Sequence, residues 1–496
     1  MKPLPLAVHS AAQVRAIDRH AIDDLHIPSY TLMTQAGEAA VIALRSCWPS
    51  KQRIAVVCGP GNNGGDGYVV GRLARSMRIE ATVVALTDPV ALRGDALRAH
   101  DEFVAAGGVV QPWSDHCLAN AEVIVDAIFG TGLSRPLDAT MVQRINAIND
   151  SGVPILALDI PSGLDADTGA VWGAAITAER TLSLIGLKLG FYLGEGPNHT
   201  GIVVYDDLDL PAGATDFVLA AAYRIDENAV AQLLPRRRRT THKGQQGSVL
   251  IIGGGVGMAG AARMAAEAAL RAGAGLVTVA TWPDNVASIT ASRPELMCRG
   301  VTEAHELETL IERADVLAIG PGLGQDEWAK SLLLTALRSH KPTVIDADAI
   351  NLLALTPCAN SNWILTPHPG EAGRLLGIST ADVQRDRLKS ARDIAARFGG
   401  TVVLKGAGTL VVTGECLPYI CDQGNPGMAS PGMGDVLTGV IAGIAAQTAD
   451  LPGAARAGVL VHAMAGDMAA RRGERGMLAT DLFGYLPTCV NPAQRF

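Results

Sequence analysis

Ile54 to Met77 reads IAVVCGPGNNGGDGYVVGRLARSM. A short apolar run, 54–59, ends in a glycine-rich turn, and YVVGRLARSM then continues with helical character. Gly59, Gly61 and Gly64 satisfy the spacing G-x-G-x-x-G. Such a turn presents backbone N–H groups to a phosphate at the positive end of a helix. Strand, tight turn and helix in that order form the unit from which parallel sheets are wound. The dense run Asn62, Asn63, Gly64, Gly65, Asp66 adds amides and a carboxylate, which suit a polar ligand better than a plain turn does.

Outward from this stretch the rhythm repeats. Before it, Val14, Ile17, Ala21, Ile22 and Leu25 recur at helical spacing behind Ser10, a capping residue. After it come the apolar runs 81–86, 122–130, 154–160, 181–186 and 201–206, most of them spaced widely enough for a helix between strands. Around 207–245 the texture turns acidic and turn-rich and ends in Arg236–Arg239, which reads as a solvated linker. The rhythm then restarts with 248–255, a long Ala-rich helix, and the runs 275–281, 315–324, 342–348, 362–371 and 401–413. The expectation is an α/β protein of two domains, 1–220 and 221–496, the first a Rossmann-like three-layer α/β/α fold.

Composition narrows the function. The 496 residues include 55 glycines, and 48% are hydrophobic against 18% charged, which excludes a disordered chain. A formal net charge of −8 argues against a nucleic-acid partner. Cys47, Cys58, Cys117, Cys298, Cys358, Cys416, Cys421 and Cys489 form no CxxC pair and read as thiols of a reducing compartment. The first residues lack a signal-peptide apolar core, and no run approaches the ~18 apolar residues of a membrane span. A cytoplasmic protein without a membrane partner is expected. The histidines show no HExxH and no paired spacing, which disfavours zinc.

In the first half, Asp126 closes one strand before GTGLSRP (130–136), and Asp159 closes another before IPSGLDADTG, which carries Ser162. Strand ends of a parallel sheet share one edge, so Asp66, Asp126 and Asp159 are expected to converge there. Together GNNGGDG, DAIFGTGLSRP and DIPSGLDADTG resemble the N-terminal domain of the NAD(P)H-hydrate repair enzymes over almost the whole first half. The resemblance implies an epimerase that interconverts the R and S forms of NADHX and NADPHX, cofactors hydrated at C6. It implies that Asn62, Asn63, Gly64, Gly65 and Asp66 hold this substrate with Gly130, Thr131, Gly132, Leu133, Ser134, Arg135 and Pro136. By the same likeness Asn63, Asp126 and Ser162 bind K+, and Asp159 contacts the reacting end as its acid/base group.

In the second half, NPGMASPGMGDVLTG (425–439) places Gly432–Gly434 before a helix on which Val436, Leu437, Val440, Ile441 and Ile444 repeat. Amides there make an anion hole, and Asp435 in the first turn can accept a hydroxyl proton while phosphate is transferred. Lys405-Gly406-Ala407-Gly408-Thr409 follows a Val-rich strand as a phosphate-contacting turn, and His368, between two prolines, is placed to touch substrate. A second G-x-G-x-x-G begins at Gly255, but no acidic residue suits the end of the next strand unless Asp284 serves behind Pro283. A Walker A pattern is absent.

These pieces resemble the ribokinase-like superfamily and, within it, the ADP-dependent NAD(P)H-hydrate dehydratases, over about 240–490. The resemblance implies a ribokinase-like α/β/α domain. Ala261, Gly324 and His368 would lie near the hydrated nicotinamide, Lys405 to Thr409 and Gly434 around the nucleotide, and Asp435 would be the catalytic base. Mg2+ bridging phosphates, ADP as co-substrate and a homo-oligomer are further expectations. Two other readings stay open: a nicotinamide-dependent oxidoreductase, and a vitamin or sugar kinase fused to a nucleotide-binding module.

Overall fold

In the computed structural model, which describes residues 2–491, the quoted stretch is the strand Arg53–Cys58 followed directly by the helix Asn62–Ser76. The chain divides into two units between Tyr223 and Arg224. This lies three residues past the expected 220/221 boundary, because Ala222 and Tyr223 pair with a strand near the N-terminus.

The first unit contains β1 (Ala7–His9), β2 (Arg53–Cys58), β3 (Glu80–Ala85), β4 (Val109–Pro112), β5 (Val123–Ala127), β6 (Ile155–Leu158), β7 (Arg180–Leu184), β8 (Leu187–Lys188) and β9 (Ile202–Asp206). Seven of them form a parallel sheet in the order β4-β3-β2-β5-β6-β7-β9. Strand order reverses between β2 and β5, so the loops that follow these two strands part and leave a crevice. β1 stands apart, parallel to β8 and antiparallel to Ala222 and Tyr223 of β10 (Ala222–Arg224).

Alternate residues of the buried strands serve opposite faces. Val56, Val83, Val125 and Leu156 pack against the helices Ser29–Cys47, Asn62–Ser76 and Gly94–Ala105, whereas Val57, Val84, Ile124 and Ala157 meet the helix Ala139–Asn149. The result is three layers. The first helix, Ala11–Asp23, starts at Ser10 in a reciprocal cap with Gln13, and Leu25 falls beyond its end.

The second unit winds β11 (Ser248–Ile252), β12 (Leu276–Thr281), β13 (Met297–Gly300), β14 (Val316–Ile319), β15 (Thr343–Ile345), β16 (Trp363–Leu365), β17 (Thr401–Leu404), β18 (Thr409–Thr413) and β19 (Tyr419–Cys421). Their order is β13-β12-β11-β14-β15-β16-β17-β18-β19, parallel as far as β17 and antiparallel beyond. Val249, Ile251, Val316 and Ala318 join a core with the helices Ala259–Arg271, Met433–Thr448 and Leu451–Ala470. The run 401–413 is therefore a hairpin, with Lys405–Gly408 as its connection.

The expected linker is no free tether. Leu208 is buried in the first unit, and Arg237 donates to the Gly273 carbonyl at 2.5 Å and to Gln447 at 2.7 Å in the second. Among the described residues no helix is long and apolar enough to cross a membrane.

Candidate active sites

At the switch point of the first sheet a cavity of about 570 Å³ is lined by Asn62, Asn63, Asp66, the stretch 130–135 and Asp159. Gly59 and Gly64 explain why the turn is glycine-rich: a Cβ on Gly59 would stand 2.0 Å from the Ile128 carbonyl, and one on Gly64 2.1 Å from that of Gly59. Gly61 caps the helix and faces open space. Gly64 and Gly65 thus let the backbone close up, and neither they nor Pro136 lines the cavity wall.

Asp159 follows β6 with φ +66°, a left-handed conformation costing a non-glycine residue about 1–2 kcal/mol. It is held there from several sides. Lys188 Nζ, fully buried on β8, forms an ion pair with Asp159 Oδ1, and Thr131 N–H donates to Oδ2 at 3.3 Å. Lys188 also donates to Ser183 Oγ (3.2 Å) and to the Leu184 carbonyl (3.0 Å). Burial pulls the Lys188 ammonium down from its ordinary value, and Asp159 opposes that pull. Burial, then the charges of Asp159 and Asp18, drive the Asp66 carboxyl well up.

Asp126 and Ser162 sit behind this wall, both fully buried. Ser162 donates N–H to Asp126 Oδ2 at 2.8 Å and O–H to Oδ1 at 2.6 Å, and its Oγ accepts from Phe129 N–H at 2.9 Å. Burial raises the Asp126 carboxyl to about 6 despite these bonds. Of the three aspartates expected to converge, Asp66 and Asp159 face the cavity and Asp126 does not. Nearby, both amide atoms of Asn63 are buried without a hydrogen-bond partner. An orphaned amide oxygen, a buried carboxylate and a hydroxyl are hard donors and fit a cation such as K+.

In the second unit Gly432, at φ +91°, turns the chain into the helix Met433–Thr448, where the Met433 N–H reaches the Ser430 carbonyl at 3.5 Å and those of Gly434 and Asp435 have no capping bond among the described residues. Asp435 lies in the first turn. Burial and the neighbouring Asp346 raise its carboxyl to about 7, with Lys405 opposing. A Cβ on Gly434 would meet Lys405 Nζ at 3.3 Å, so the ammonium and the helix start share one space. Lys405 donates to Asp346 Oδ1 at 2.6 Å and stands 3.7 Å from Glu371 Oε2.

The rest of the turn 405–409 is shaped around Arg387. This buried guanidinium donates to the Leu404 and Lys405 carbonyls, each at 3.2 Å. Gly406, at φ +134°, passes over it, and Thr409 Oγ1 donates back to the Gly406 carbonyl at 2.8 Å. Gly406 and Ala407 are exposed, Gly408 and Thr409 half-buried.

His368 proves to be a helix cap. Its Nδ1 accepts from Gly370 N–H at 2.9 Å while Glu371 accepts the His368 N–H at 2.7 Å, and half of the side chain stays exposed. Burial and the charge of Lys405 lower the imidazole below its ordinary value. Gly324, at φ +81°, donates its N–H to Asp348 Oδ2 at 2.9 Å. Ala261, in the first turn of the helix Ala259–Arg271, packs against Gly322 of the same loop. The loop Gly253–Gly255 is tied inward, its Gly254 carbonyl accepting from Thr281 Oγ1 and Asn285 Nδ2, each at 2.6 Å.

Sequence reading missed Lys188, Asp18, Asp346, Asp348, Glu371 and Arg387. The signals were present: Lys188 is a single charge within the apolar run TLSLIGLKLG, and Asp346 closes a strand just as Asp159 does. Among the described residues no three His, Cys, Asp or Glu side chains converge as a metal cage. Mg2+ needs no such cage, since it binds through one or two carboxylates together with phosphates, and Glu371 supplies a carboxylate beside Lys405.

Two family models match the chain. One, described as NAD(P)H-hydrate dehydratase, covers residues 249–488, and the other, the YjeF-related protein N-terminus, covers 29–190. The bifunctional NAD(P)H-hydrate repair enzyme Nnr of Coxiella burnetii is 48% identical over 97% of this chain and 98% of its own length. That of Escherichia coli is 45% identical over 99% and 95%. A solved ribokinase-like superfamily protein of Enterococcus faecalis superposes on 55% of this chain and 97% of its own, with a TM-score of 0.51 and 32% identity. The chain belongs to the bifunctional NAD(P)H-hydrate repair enzymes.

Proposed function

We propose that this chain restores hydrated nicotinamide cofactors in two steps. Residues 1–220 interconvert the R and S forms of NADHX and NADPHX, and residues 221–496 dehydrate the S form at the expense of ADP. One observation carries the reading of the second step: Asp435 lies beside Lys405 in the first turn of a helix in which the Gly434 and Asp435 amides have no capping bond among the described residues.

Hydroxide is a poor leaving group. Asp435 takes the proton of the C6 hydroxyl as that oxygen attacks the terminal phosphorus of ADP, and AMP departs. Lys405 and the amides after Gly432 neutralise the transferring group. Phosphate then leaves with the C–O bonding pair while a proton is lost from C5, which restores the ring double bond. Mg2+ would supply positive charge to the phosphates, and Glu371, a carboxylate 3.7 Å from Lys405, is the residue we assign to hold it. Ala261, Gly324 and His368 bind the hydrated ring, and Lys405 to Thr409 with Gly434 hold the nucleotide.

In the first unit, Asn62, Asn63, Asp66 and 130–135 hold the dinucleotide, with Gly64, Gly65 and Pro136 shaping the loops behind them and helix amides toward its phosphates. Asp159, paired with Lys188, is the acid/base group. Asn63, Asp126 and Ser162 would hold K+, which would supply fixed positive charge to the site. All eight cysteines are free thiols, in keeping with a cytoplasmic setting, and the partners we assign are these small molecules and further copies of the chain. The test is chemically hydrated NADH, as mixed epimers, incubated with the protein, ADP and Mg2+. Full recovery of reduced-nicotinamide absorbance is expected; recovery that stops near half would remove the epimerase assignment.

A further inference from the structure

The helix Ala11–Asp23 lies outside every glycine-rich loop, yet it forms part of the first cavity's wall. Val14, Arg15, Asp18 and Ile22 all line it, a spacing that puts one helix face against the cavity. Arg15 joins that face to the reacting end: its guanidinium donates to the Thr131 carbonyl at 2.7 Å, and the N–H of the same residue donates to Asp159. Asp18, one turn beyond Arg15, is a partly buried carboxyl in the same cavity as Asp66 and Asp159. Burial raises its proton affinity first, the Asp159 charge adds to this, and Arg19 opposes both.

Carboxyl groups sharing one cavity do not all ionise together. Asp159 has the buried ammonium of Lys188 as counter-ion, whereas Asp18 has only Arg19 opposing its protonation. Inverting C6 of the hydrate by ring opening gives work to both a base and an acid. When the C6–N1 bond of a hydroxylated ring opens, a base takes the hydroxyl proton and the oxygen becomes a carbonyl. The bonding pair goes to N1, which takes a proton from an acid. Rotation about C5–C6 and closure on the other face return both protons, so atoms and charge balance with no further reactant.

Resting on the epimerase reading above, we propose that Asp18 is the second catalytic residue of the first site, the acid that protonates N1 while Asp159 takes the hydroxyl proton. The full chain provides the test, with purified R form, no nucleotide, and chromatographic separation of the epimers. Asp18→Asn is expected to cut kcat for interconversion about 100-fold or more. KM and the dehydration of purified S form should stay within twofold, the latter showing that the variant is folded. Asp18→Glu, which keeps a carboxyl on the same face, is expected to recover at least tenfold of the loss. A raised KM with unchanged kcat, or turnover by Asp18→Asn within twofold of the parent, overturns the role of Asp18. Failure of Asp18→Glu to exceed Asp18→Asn overturns it too. A parent protein that does not interconvert the epimers removes the epimerase reading itself, and this role with it.

Discussion

Lys405 donates to Asp346 across 2.6 Å, joining the hairpin turn after β17 to the loop after β15. The bond does not stand alone. Asp346 is buried, and it also accepts from Thr366 Oγ1 at 2.9 Å and from Thr438 Oγ1 at 2.8 Å. One carboxylate therefore fixes the ammonium, a third strand end and the second turn of the anion-hole helix. Removing it as Asp346→Ala leaves Lys405 poorly paired and should cost roughly 3 kcal/mol in urea unfolding of the second unit. Asp346→Asn keeps partners for both threonines. It should fold normally but show a raised KM for ADP, measured by AMP release.

Asp435 must be ionised to act as a base, and its carboxyl is raised to about 7 by burial and Asp346. The free enzyme's kcat/KM for dehydration should therefore fall tenfold per pH unit well below 7 and level off above it. Asp435→Asn should abolish that limb and lower the rate at least 100-fold, measured on purified S form.

Asp159 and Lys188 are paired but unequally buried. Lys188 is fully enclosed, whereas Asp159 reaches the cavity. Asp159→Ala strands the ammonium and should destabilise the first unit by roughly 3–5 kcal/mol, a fall in Tm of the order of 10 °C. The loss should deepen as pH falls: a buried lysine with a depressed pKa must gain its charge inside the fold, and the unfolded chain binds that proton more readily. Lys188→Met leaves a carboxylate that water can reach, so its cost should be smaller. Thermal scans of both variants between pH 6 and 8 compare them.

Asp126, raised to about 6 by burial, would give the proposed K+ binding a pH signature. The folded state holds this proton more tightly than the unfolded chain. That contribution to stability is fully present below the ordinary carboxylate range and is lost as pH rises through about 6. A carboxylate binds K+ better than a neutral carboxyl, so stabilisation by KCl over choline chloride should be small at pH 5 and grow towards pH 7.5. The difference in Tm between the two salts reads it directly. Asn63→Ala, which removes the orphaned amide, should erase it.

Much of this was legible before any coordinates, and the limits have physical causes. Strand–turn–helix units announce themselves by apolar runs that end in glycine, and the loops that line both candidate sites follow from that pattern. The spacing G-x-G-x-x-G also has a packing cause that sequence does not reveal: Gly59 and Gly64 stand where two backbones touch, and Gly61 caps the helix with space around it. His368 stands out between two prolines, and its Nδ1 also caps a helix while half of the side chain stays exposed, a local bond that residue identity does not reveal.

The overlooked residues share one feature: their importance arises from contacts distant in sequence. Lys188 matters because β8 carries it under Asp159, and Arg387 because a helix aims it at the Leu404 and Lys405 carbonyls. Asp18 lies on a helix that the sequence announces only through the spacing of its apolar residues. Neither spacing nor composition shows which polar residue on such a helix meets a cavity.

On the function proposed, both halves of the chain serve one damaged cofactor. Purified R form of hydrated NADH, given to the full chain with ADP and Mg2+, tests it most directly through the return of reduced-nicotinamide absorbance. Complete recovery is expected from the parent protein, none above the uncatalysed rate from Asp159→Ala, and normal recovery by that same variant from purified S form. Recovery from the R form by Asp159→Ala at the parent's rate, or no recovery by the parent from either epimer, would contradict it.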